Sequence, residues 1–547
     1  MKRFFLSTII SAFAFISASA CTSFLVGKKA SIDGSTFITY NQDSYGMYGS
    51  LGFYPAATHA KGTMRRIVDG DTNHFLGAIP EATQTYSVVG NINEFQVSIM
   101  ETTFGGREEL RDTTGIIDYV SLMTIALQRS KNAREAIQVM TSLTQKYGYA
   151  SEGESFSIAD PNEVWIMEMI GKGTNEKGTV WVAIRIPDDC IAAHANQSRI
   201  HKFNMKDKNN VMYSKDVINF ARKKGYFSGQ DSDFSFADAY APADFSAIRI
   251  CEARVWSFFN KWVDGMNKYL PYVDGKHIGT SEVMPLYFKP KKLLSVHDVM
   301  MSMRDHFEGT PFAIQGDAGA GIYDAPYRPT PLFFTYKGNK YFNERPISTQ
   351  QTASTMVAQM RNYMPNYVGG ILWYGNDDPN MVAFTPIYCC SNRVPQCYAT
   401  TTANDVTFSW KSAFWVCNWV SNMTYPRYSM LFPSVEKTRN ELETTYLSKQ
   451  QEIEKKAKEL YEQNSQNAID YLTNYSINSA EYMLERWKKL GEYLIVKYND
   501  MVIKPESEDG HFLLTPDSIA VPPTRPGYSE KAKELFIKDT GDKYLLK

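Results

Sequence analysis

The hydrophobic pattern begins with one apolar run and then turns to strand-like segments. Residues 4–16 are mostly apolar, follow the basic pair Lys2 and Arg3, and precede the small residues 18–20. This layout is typical of a secretory signal peptide that is cleaved after Ala20. Residues 22–27 and 35–40 are β-prone, and Asp33-Gly34 between them predicts a hairpin.

Strand and helix patterns then alternate. Further β-rich segments occupy residues 86–90, 95–101, 154–169 and 179–186. Between them, apolar residues at helical spacing predict a first helix: Ile116, Tyr119, Val120, Met123 and Leu127. Residues 132–135 resemble a capping box that opens a second helix through Leu143. Strands, a helix pair and strands again predict antiparallel sheets covered by helices, an α+β protein.

The pattern changes near Ser434, where apolar residues fall near heptad spacing in a charged background. It predicts one or two long amphipathic helices that continue to about Tyr498 and pack on their own domain. Residues 509–527 are rich in proline and are expected to be extended before a short terminal helix. The expected organisation is a signal peptide (1–20), a main domain (21–430) and a helical extension packed on it (431–547).

Composition removes several classes of function. The 58 Lys and Arg residues balance 59 Asp and Glu residues in a chain of 547, which argues against nucleic acid or an anionic membrane as partner. No apolar stretch of 18 residues follows the signal peptide, so no transmembrane span is expected after its removal. The protein is therefore expected to be exported, to a periplasm or to the medium, and a homo-oligomer is left open.

Two groups of residues could bind a metal, but each has a more common structural role. Cys389, Cys390 and Cys397 have no histidine nearby, so a disulfide or buried thiols are favoured over a metal site. His306 and Glu308 could form a metal pair, but a helix-end cap is the favoured interpretation. No metal ion is expected.

Cleavage after Ala20 would place a thiol and a free α-amine on the same residue, Cys21. An amine with a pKa of about 8 can take the proton of a thiol with a pKa of about 8.5, which would make Cys21 a nucleophile. Small residues before a cysteine also suit lipoprotein processing, which would acylate the amine, and an incidental cysteine is the third alternative. The predicted hairpin delivers Asp43 beside Cys21 as a partner for the amine, although a turn aspartate is equally typical there.

Several ordered segments together resemble a known family. They begin at Cys21-Thr22, continue through Asn41-Gln42-Asp43-Ser44 and Gly90-Asn91-Ile92-Asn93-Glu94, and recur at residues 156–165, 181–189, 196–197, 304–311 and 369–373. In these segments the sequence is similar to the secernin/dipeptidase A family of cysteine peptidases, members of the N-terminal nucleophile (Ntn) hydrolase superfamily. The resemblance covers most of the chain from residue 21 to about 388.

The resemblance implies an αββα sandwich, here with additional long C-terminal helices, that hydrolyses dipeptides without a metal or organic cofactor. By analogy with related amidases, Cys21 would attack the scissile carbonyl and Asp43 would orient its amine. Asn93 and Asn196 would donate to the oxyanion, and Arg254 would help to hold the site. Taken singly, each asparagine also suits a turn and Arg254 also suits a packing role.

One position departs from the family pattern. The strand-end motif usually reads Arg-Asn-x-Asp, and Tyr40 stands at the arginine position. A phenol cannot lower the pKa of a thiol as a guanidinium does, so a different substrate set, compensation by Arg254 or reduced activity would follow. Two other functions stay open: an acylase acting on N-acyl amides such as bile salts or penicillin V, and a lipid-anchored binding protein without catalysis.

Overall fold

The computed structural model describes residues 21–328 and 332–546, so the predicted signal peptide lies outside the described residues. The strands of the described chain are β1 (Ser23–Val26), β2 (Thr36–Asp43), β3 (Phe53–Tyr54), β4 (Ala57–Thr58), β5 (Met64–Val68), β6 (Phe75–Pro80), β7 (Gln84–Thr85), β8 (Val88–Val89), β9 (Ile92–Asn93), β10 (Ser98–Gly105), β11 (Gly153–Ala159), β12 (Val164–Gly171), β13 (Thr179–Ile186), β14 (Ile191–His194), β15 (Val211–Tyr213), β16 (Tyr287–Phe288), β17 (Phe333–Tyr336), β18 (Asn339–Phe342), β19 (Thr352–Met360), β20 (Ile371–Asn376) and β21 (Thr385–Tyr388). The α-helices are α1 (Tyr119–Arg129), α2 (Ala133–Tyr147), α3 (Val217–Lys224), α4 (Phe236–Tyr240), α5 (Ala253–Trp262), α6 (Leu270–Val273), α7 (Val296–Ser302), α8 (Asn366–Gly369), α9 (Ala413–Thr424), α10 (Tyr428–Gln463), α11 (Ser465–Lys497) and α12 (Glu530–Thr540).

Two large sheets contain most of these strands. The first has the order β16-β14-β1-β2-β19-β20-β21, and the second has the order β15-β13-β12-β11-β10-β9-β8-β3. Neighbouring strands are antiparallel, as in the pairing of β1 with β2 and of β10 with β11. Separate antiparallel sheets with long helices confirm the predicted α+β class.

The two sheets face each other across a shared core. Ser23 Oγ of the first sheet lies 2.8 Å from Ser157 Oγ of the second. Thr36 Oγ1 donates to the carbonyl of Asp160 at 2.7 Å in the same interface. Since side chains alternate between the faces of a strand, the neighbouring Phe24 points outward, where its ring stacks on Phe258 of α5.

Helices cover the two outer faces. α1 and α2 pack on the second sheet, where Ile137 and Trp165 belong to one buried cluster. The side chain of Asn132 caps the first turn of α2 by accepting from the N–H of Glu135. Glu135 itself caps the N–H of Lys131, so the predicted capping box is half formed. The layers therefore follow the order helices, sheet, sheet, helices.

The long helices α10 and α11 occupy the segment in which the heptad pattern predicts them, and they pack against each other and against β21. Two buried ion pairs join α10 to the main domain. Arg304 Nη1 donates to Glu443 Oε2 at 3.1 Å, and Arg361 Nη2 lies 2.6 Å from Glu454 Oε1. Within the described residues, none of the helices has both the length and the apolarity that a bilayer crossing requires.

Candidate active site

Cys21 lies at the strand end where the predicted hairpin places it. A backbone bridge pairs Thr22 with Asn41, with N–H to carbonyl distances of 3.3 and 3.0 Å. The last residues of β2 therefore run directly beside Cys21. The Cys21 side chain is buried, with 1% of its surface exposed.

Arg254 holds the backbone of Cys21. A π-helical segment, Ala247–Glu252, leads into α5 and aims Arg254 at the start of β1. Its Nη1 donates to the carbonyl of Cys21 and to Thr22 Oγ1, both at 2.7 Å. Its Nη2 donates to the carbonyl of Ala195 and to Asn196 Oδ1, both at 3.0 Å. One buried guanidinium therefore fixes two backbone segments, and burial lowers its pKa to about 10.

Asn196 connects this cluster to the second sheet. Its backbone is in the left-handed region at φ 65°, and its Nδ2 donates to the carbonyl of Thr103 at 2.8 Å. Asparagine tolerates that conformation better than most side chains. The amide is thus oriented by contacts at both of its ends, because Oδ1 accepts from Arg254.

Asp43 is paired with a cation that comes from far along the chain. Arg345 Nη2 lies 2.7 Å from Asp43 Oδ2, and Thr352 Oγ1 donates to Oδ1 at 2.6 Å. Burial raises the pKa of Asp43, and Arg345 and Thr352 act against that rise. The backbone of Asp43 also hydrogen-bonds the Cys21 thiol.

The thiol of Cys21 faces a phenol and a carboxyl group. Its Sγ lies 3.7 Å from the hydroxyl of Tyr40 and 3.9 Å from Glu101 Oε1. The Tyr40 hydroxyl donates to the same Glu101 oxygen. Burial, and then the charges of Glu101 and Asp43, raise the pKa of the thiol well above its ordinary value. The thiol is therefore protonated at neutral pH and needs a base to become a nucleophile.

A second carboxyl group lies beside Glu101. Glu154, on the neighbouring strand β11, is fully buried, and its Oε1 accepts from Thr103 Oγ1 at 2.9 Å. Burial and the adjacent Glu101 raise the pKa of Glu154 well above its ordinary value, and burial also raises the pKa of Glu101. Two adjacent buried carboxyls favour a shared proton.

A neutral histidine of the first sheet, His194, contacts the second sheet next to these groups. His194 Nδ1 and Nε2 lie 2.7 Å from Thr102 Oγ1 and from Ser157 Oγ. Burial lowers the pKa of His194 to about 3. The imidazole is therefore uncharged at neutral pH and holds the two sheets together through hydroxyl contacts.

Asn93 turns its side chain toward the helix layer. Its Nδ2 donates to the carbonyls of Leu127 and Ser130, at 2.7 and 2.8 Å, and its Oδ1 accepts from the N–H groups of Phe95 and Val97. These contacts lie on the α1 side of the second sheet and fit the turn interpretation of this residue. An oxyanion role would require the amide to release both carbonyls, so that role stays a prediction.

The candidate metal ligands have other partners. Glu308 accepts from the backbone N–H of His306 at 2.8 Å and lies 3.0 Å from its Nδ1, which is the arrangement of a cap. Cys389 and Cys397 are buried thiols. Among residues 21–328 and 332–546, no group of three or more His, Cys, Asp or Glu side chains is placed to bind a metal.

The sequence does not predict that Arg345 and Glu101 belong to the site. Arg345 lies 302 positions after Asp43 in a segment without a motif, so nothing in the sequence indicates the pairing. Glu101 does leave a trace, because a carboxylate follows the apolar positions of a predicted buried strand. A charge in such a place is unusual unless it is paired or functional.

A buried cysteine at a strand end, with its backbone fixed by an arginine and its thiol beside acidic groups, is the kind of site that cysteine hydrolases use. The family model of peptidase family C69 matches residues 20–441. The chain therefore belongs to peptidase family C69.

Three relatives illustrate this membership. A "Probable dipeptidase" of Latilactobacillus sakei is 26% identical over 419 residues, which are 73% of this chain and 80% of the relative. A "Probable dipeptidase B" of Streptococcus pyogenes serotype M1 is 24% identical over 535 residues, or 92% and 97% of the two chains. A "Dipeptidase" of Bifidobacterium longum (strain NCC 2705) is 25% identical over 407 residues, or 67% and 71%.

Proposed function

We propose that the protein is an exported cysteine dipeptidase of the Ntn-hydrolase class whose nucleophile is Cys21 after release of residues 1–20. Membership of peptidase family C69 and the names of the relatives support hydrolysis of dipeptides. The order of helices, sheet, sheet and helices supports the αββα class.

The observation that carries this proposal is the hydrogen bond from Arg254 to the carbonyl of Cys21. A nucleophile at a chain terminus needs its backbone fixed, because terminal residues are otherwise poorly ordered. Arg254 binds Cys21 through its carbonyl and so leaves the α-amine and the thiol available for chemistry. Asp43 follows on the adjacent strand and supports orientation of a new α-ammonium.

The reaction would begin when the freed α-amine of Cys21 takes the proton of its own thiol. Sγ then forms a bond to the scissile carbonyl carbon, and the resulting oxyanion accepts hydrogen bonds at the site, for which Asn196 is the favoured side chain. The carbon–nitrogen bond breaks, and the α-ammonium returns its proton to the leaving amine. Water hydrolyses the thioester and restores the thiol. No step requires a metal or an organic cofactor.

Intact mass and N-terminal sequencing of the exported protein test the first requirement. The proposal expects a chain that begins at Cys21 with an unmodified amine. A mass increase the size of a diacylglycerol group on Cys21 would instead support the lipid-anchored alternative and exclude the amine as base.

Substitution of the nucleophile tests the second requirement. Cys21→Ala should lower kcat/KM on dipeptides by about 10³-fold or more while the melting temperature changes little. Cys190→Ala, which removes a different buried thiol near the first sheet, is the matched control and should retain activity. Full activity in the Cys21→Ala protein would end the proposal, and preference for bile-salt or penicillin V amides over dipeptides would favour the acylase alternative.

A further inference from the structure

We propose that Glu101 binds the α-ammonium group of the substrate, so that the site selects peptides with a free N-terminus. The inference rests on the proposed function and names the substrate class for the same site. It assigns a binding role to a residue that the catalytic scheme itself does not use.

The first argument is distance. In a dipeptide the α-nitrogen lies about 2.5 Å from the scissile carbonyl carbon, as bond lengths and the N–Cα–C angle dictate. An attacking sulfur approaches that carbon to about 3–3.5 Å before bond formation. The ammonium therefore lies within about 6 Å of Sγ. Glu101 Oε1 is 3.9 Å from Cys21 Sγ, so the carboxyl group can hydrogen-bond such an ammonium when both groups lie on the same side of Sγ.

The second argument is charge. Glu101 is 1% exposed, and within the described residues no lysine, arginine or histidine lies within ion-pair distance of it. Its Oε2 and the Oε2 of Glu154 are buried and accept from no N–H, alcohol or phenol group of the described chain, and the two carboxyl groups hydrogen-bond only each other there. A buried carboxylate without a cation is costly, and a substrate ammonium would supply the missing charge.

The neighbouring groups favour Glu101 over Glu154 as the ionised member of the pair. The Tyr40 hydroxyl donates to Glu101 Oε1 and stabilises a negative charge there. Burial, and then the charge of the adjacent Glu101, raise the pKa of Glu154 well above its ordinary value, so Glu154 retains the shared proton.

This arrangement also explains why a tyrosine suits position 40, where the family pattern usually has an arginine. An arginine at position 40 would neutralise Glu101 within the protein and would compete with a substrate ammonium. A phenol satisfies one carboxylate oxygen but leaves the charge for the ligand. N-acyl amides have no ammonium and would leave the carboxylate uncompensated, so a site of this kind rejects them.

The experiment compares kcat/KM of the mature protein for a dipeptide that it cleaves and for the N-acetyl form of the same dipeptide. We expect the wild-type protein to prefer the free amine by about 100-fold, and Glu101→Gln to reduce this ratio by about 10- to 100-fold. Glu152→Gln removes an exposed carboxylate close to the same strands and is the matched control; its ratio should equal that of the wild type. Circular dichroism and melting curves establish that each variant is folded.

Two results would overturn the inference. The first is equal cleavage of both substrates by the wild-type protein, a measurement that needs no variant and holds even if Glu101→Gln fails to fold. The second is a folded Glu101→Gln protein with an unchanged ratio. Dipeptide hydrolysis that survives Cys21→Ala would instead defeat the proposed function, whereas Cys21-dependent hydrolysis with a ratio insensitive to Glu101 defeats the present inference alone.

Discussion

Asp43 and Glu101 both approach the thiol of Cys21, yet the protein compensates them in opposite ways. Asp43 has a buried guanidinium and a hydroxyl as partners, at 2.7 and 2.6 Å. Glu101 has a phenol and another carboxyl group. The comparison suggests two roles. Asp43, which Arg345 already neutralises, fixes the strand end and orients the amine of Cys21, whereas Glu101 is left to bind a cation from the substrate.

Removal of the Asp43 charge should have the largest effect on stability. Asp43→Asn leaves Arg345 buried without its carboxylate, and loss of one partner of a buried ion pair costs about 3–5 kcal/mol. Guanidinium chloride unfolding of the wild-type and variant proteins measures this loss. Thr352→Val, which removes only the hydroxyl that donates to Asp43, is the control and should cost about 1 kcal/mol. A loss below 1 kcal/mol for Asp43→Asn would show that the pair does not support the fold.

The comparison also requires that His194 stays uncharged, because it hydrogen-bonds Thr102, the residue that follows Glu101 in the chain. Because the folded pKa is about 3 and the unfolded pKa is about 6.5, the unfolded state binds the proton first. The stability contributed by neutral His194 is present above pH 6.5 and is lost as the pH falls toward 3. Between pH 7 and pH 5 the loss should be about 2 kcal/mol.

Denaturant unfolding of wild type and His194→Gln at both pH values isolates this contribution from those of the carboxyl groups. The variant should lose about 2 kcal/mol less than the wild type over the same interval. Equal losses would mean that His194 carries a proton in the folded protein and lends positive charge to the acidic side.

Removal of the Tyr40 hydroxyl should have an intermediate effect. Tyr40→Phe takes away the donor to Glu101 Oε1, and loss of a hydrogen bond to a buried carboxyl group costs about 1–2 kcal/mol. It should also change the rate at which iodoacetamide alkylates Cys21, since the phenol lies 3.7 Å from Sγ. Tyr398→Phe removes a buried hydroxyl bonded to Thr385 and should leave the alkylation rate unchanged. An identical response of both variants would contradict a specific role for Tyr40.

The smallest change in stability is expected at Glu101. Glu101→Gln removes a carboxyl group that no cation among residues 21–328 and 332–546 neutralises, so the free energy of unfolding should stay constant or rise by up to about 1 kcal/mol. The same unfolding experiment that measures Asp43→Asn provides this value. A loss as large as that of Asp43→Asn would show that the protein itself compensates Glu101, and the proposed difference between the two roles would fail.

Local patterns predict the hairpin that carries the site. Two β-prone runs on either side of Asp33-Gly34 predict β1 and β2, and the polar residues at the end of β2 follow from the strand length. The helix pair and the long C-terminal helices also follow from local periodicity. These elements are predictable because each one is determined by neighbours within about ten residues.

The rest of the site depends on contacts that no local pattern records. Pairing of β2 with β19 joins residues about 310 positions apart, and it brings Arg345 and Thr352 to Asp43. The orientation of Asn93 depends on where α1 ends relative to the second sheet. The acidic partner of Cys21 comes from the opposite sheet, so it emerges only when the two sheets face each other.

The ion pairs of Glu443 and Glu454 with the main domain indicate that the cooperative folding unit extends into α10. The match to peptidase family C69 stops at residue 441, inside the continuous helix α10 and two positions before Glu443. A chain shortened at that point would lose the carboxylates that neutralise Arg304 and Arg361. The C-terminal helices and the sheets should therefore unfold as one cooperative unit, and the shortened chain should show local opening around β20 and β21 in hydrogen exchange.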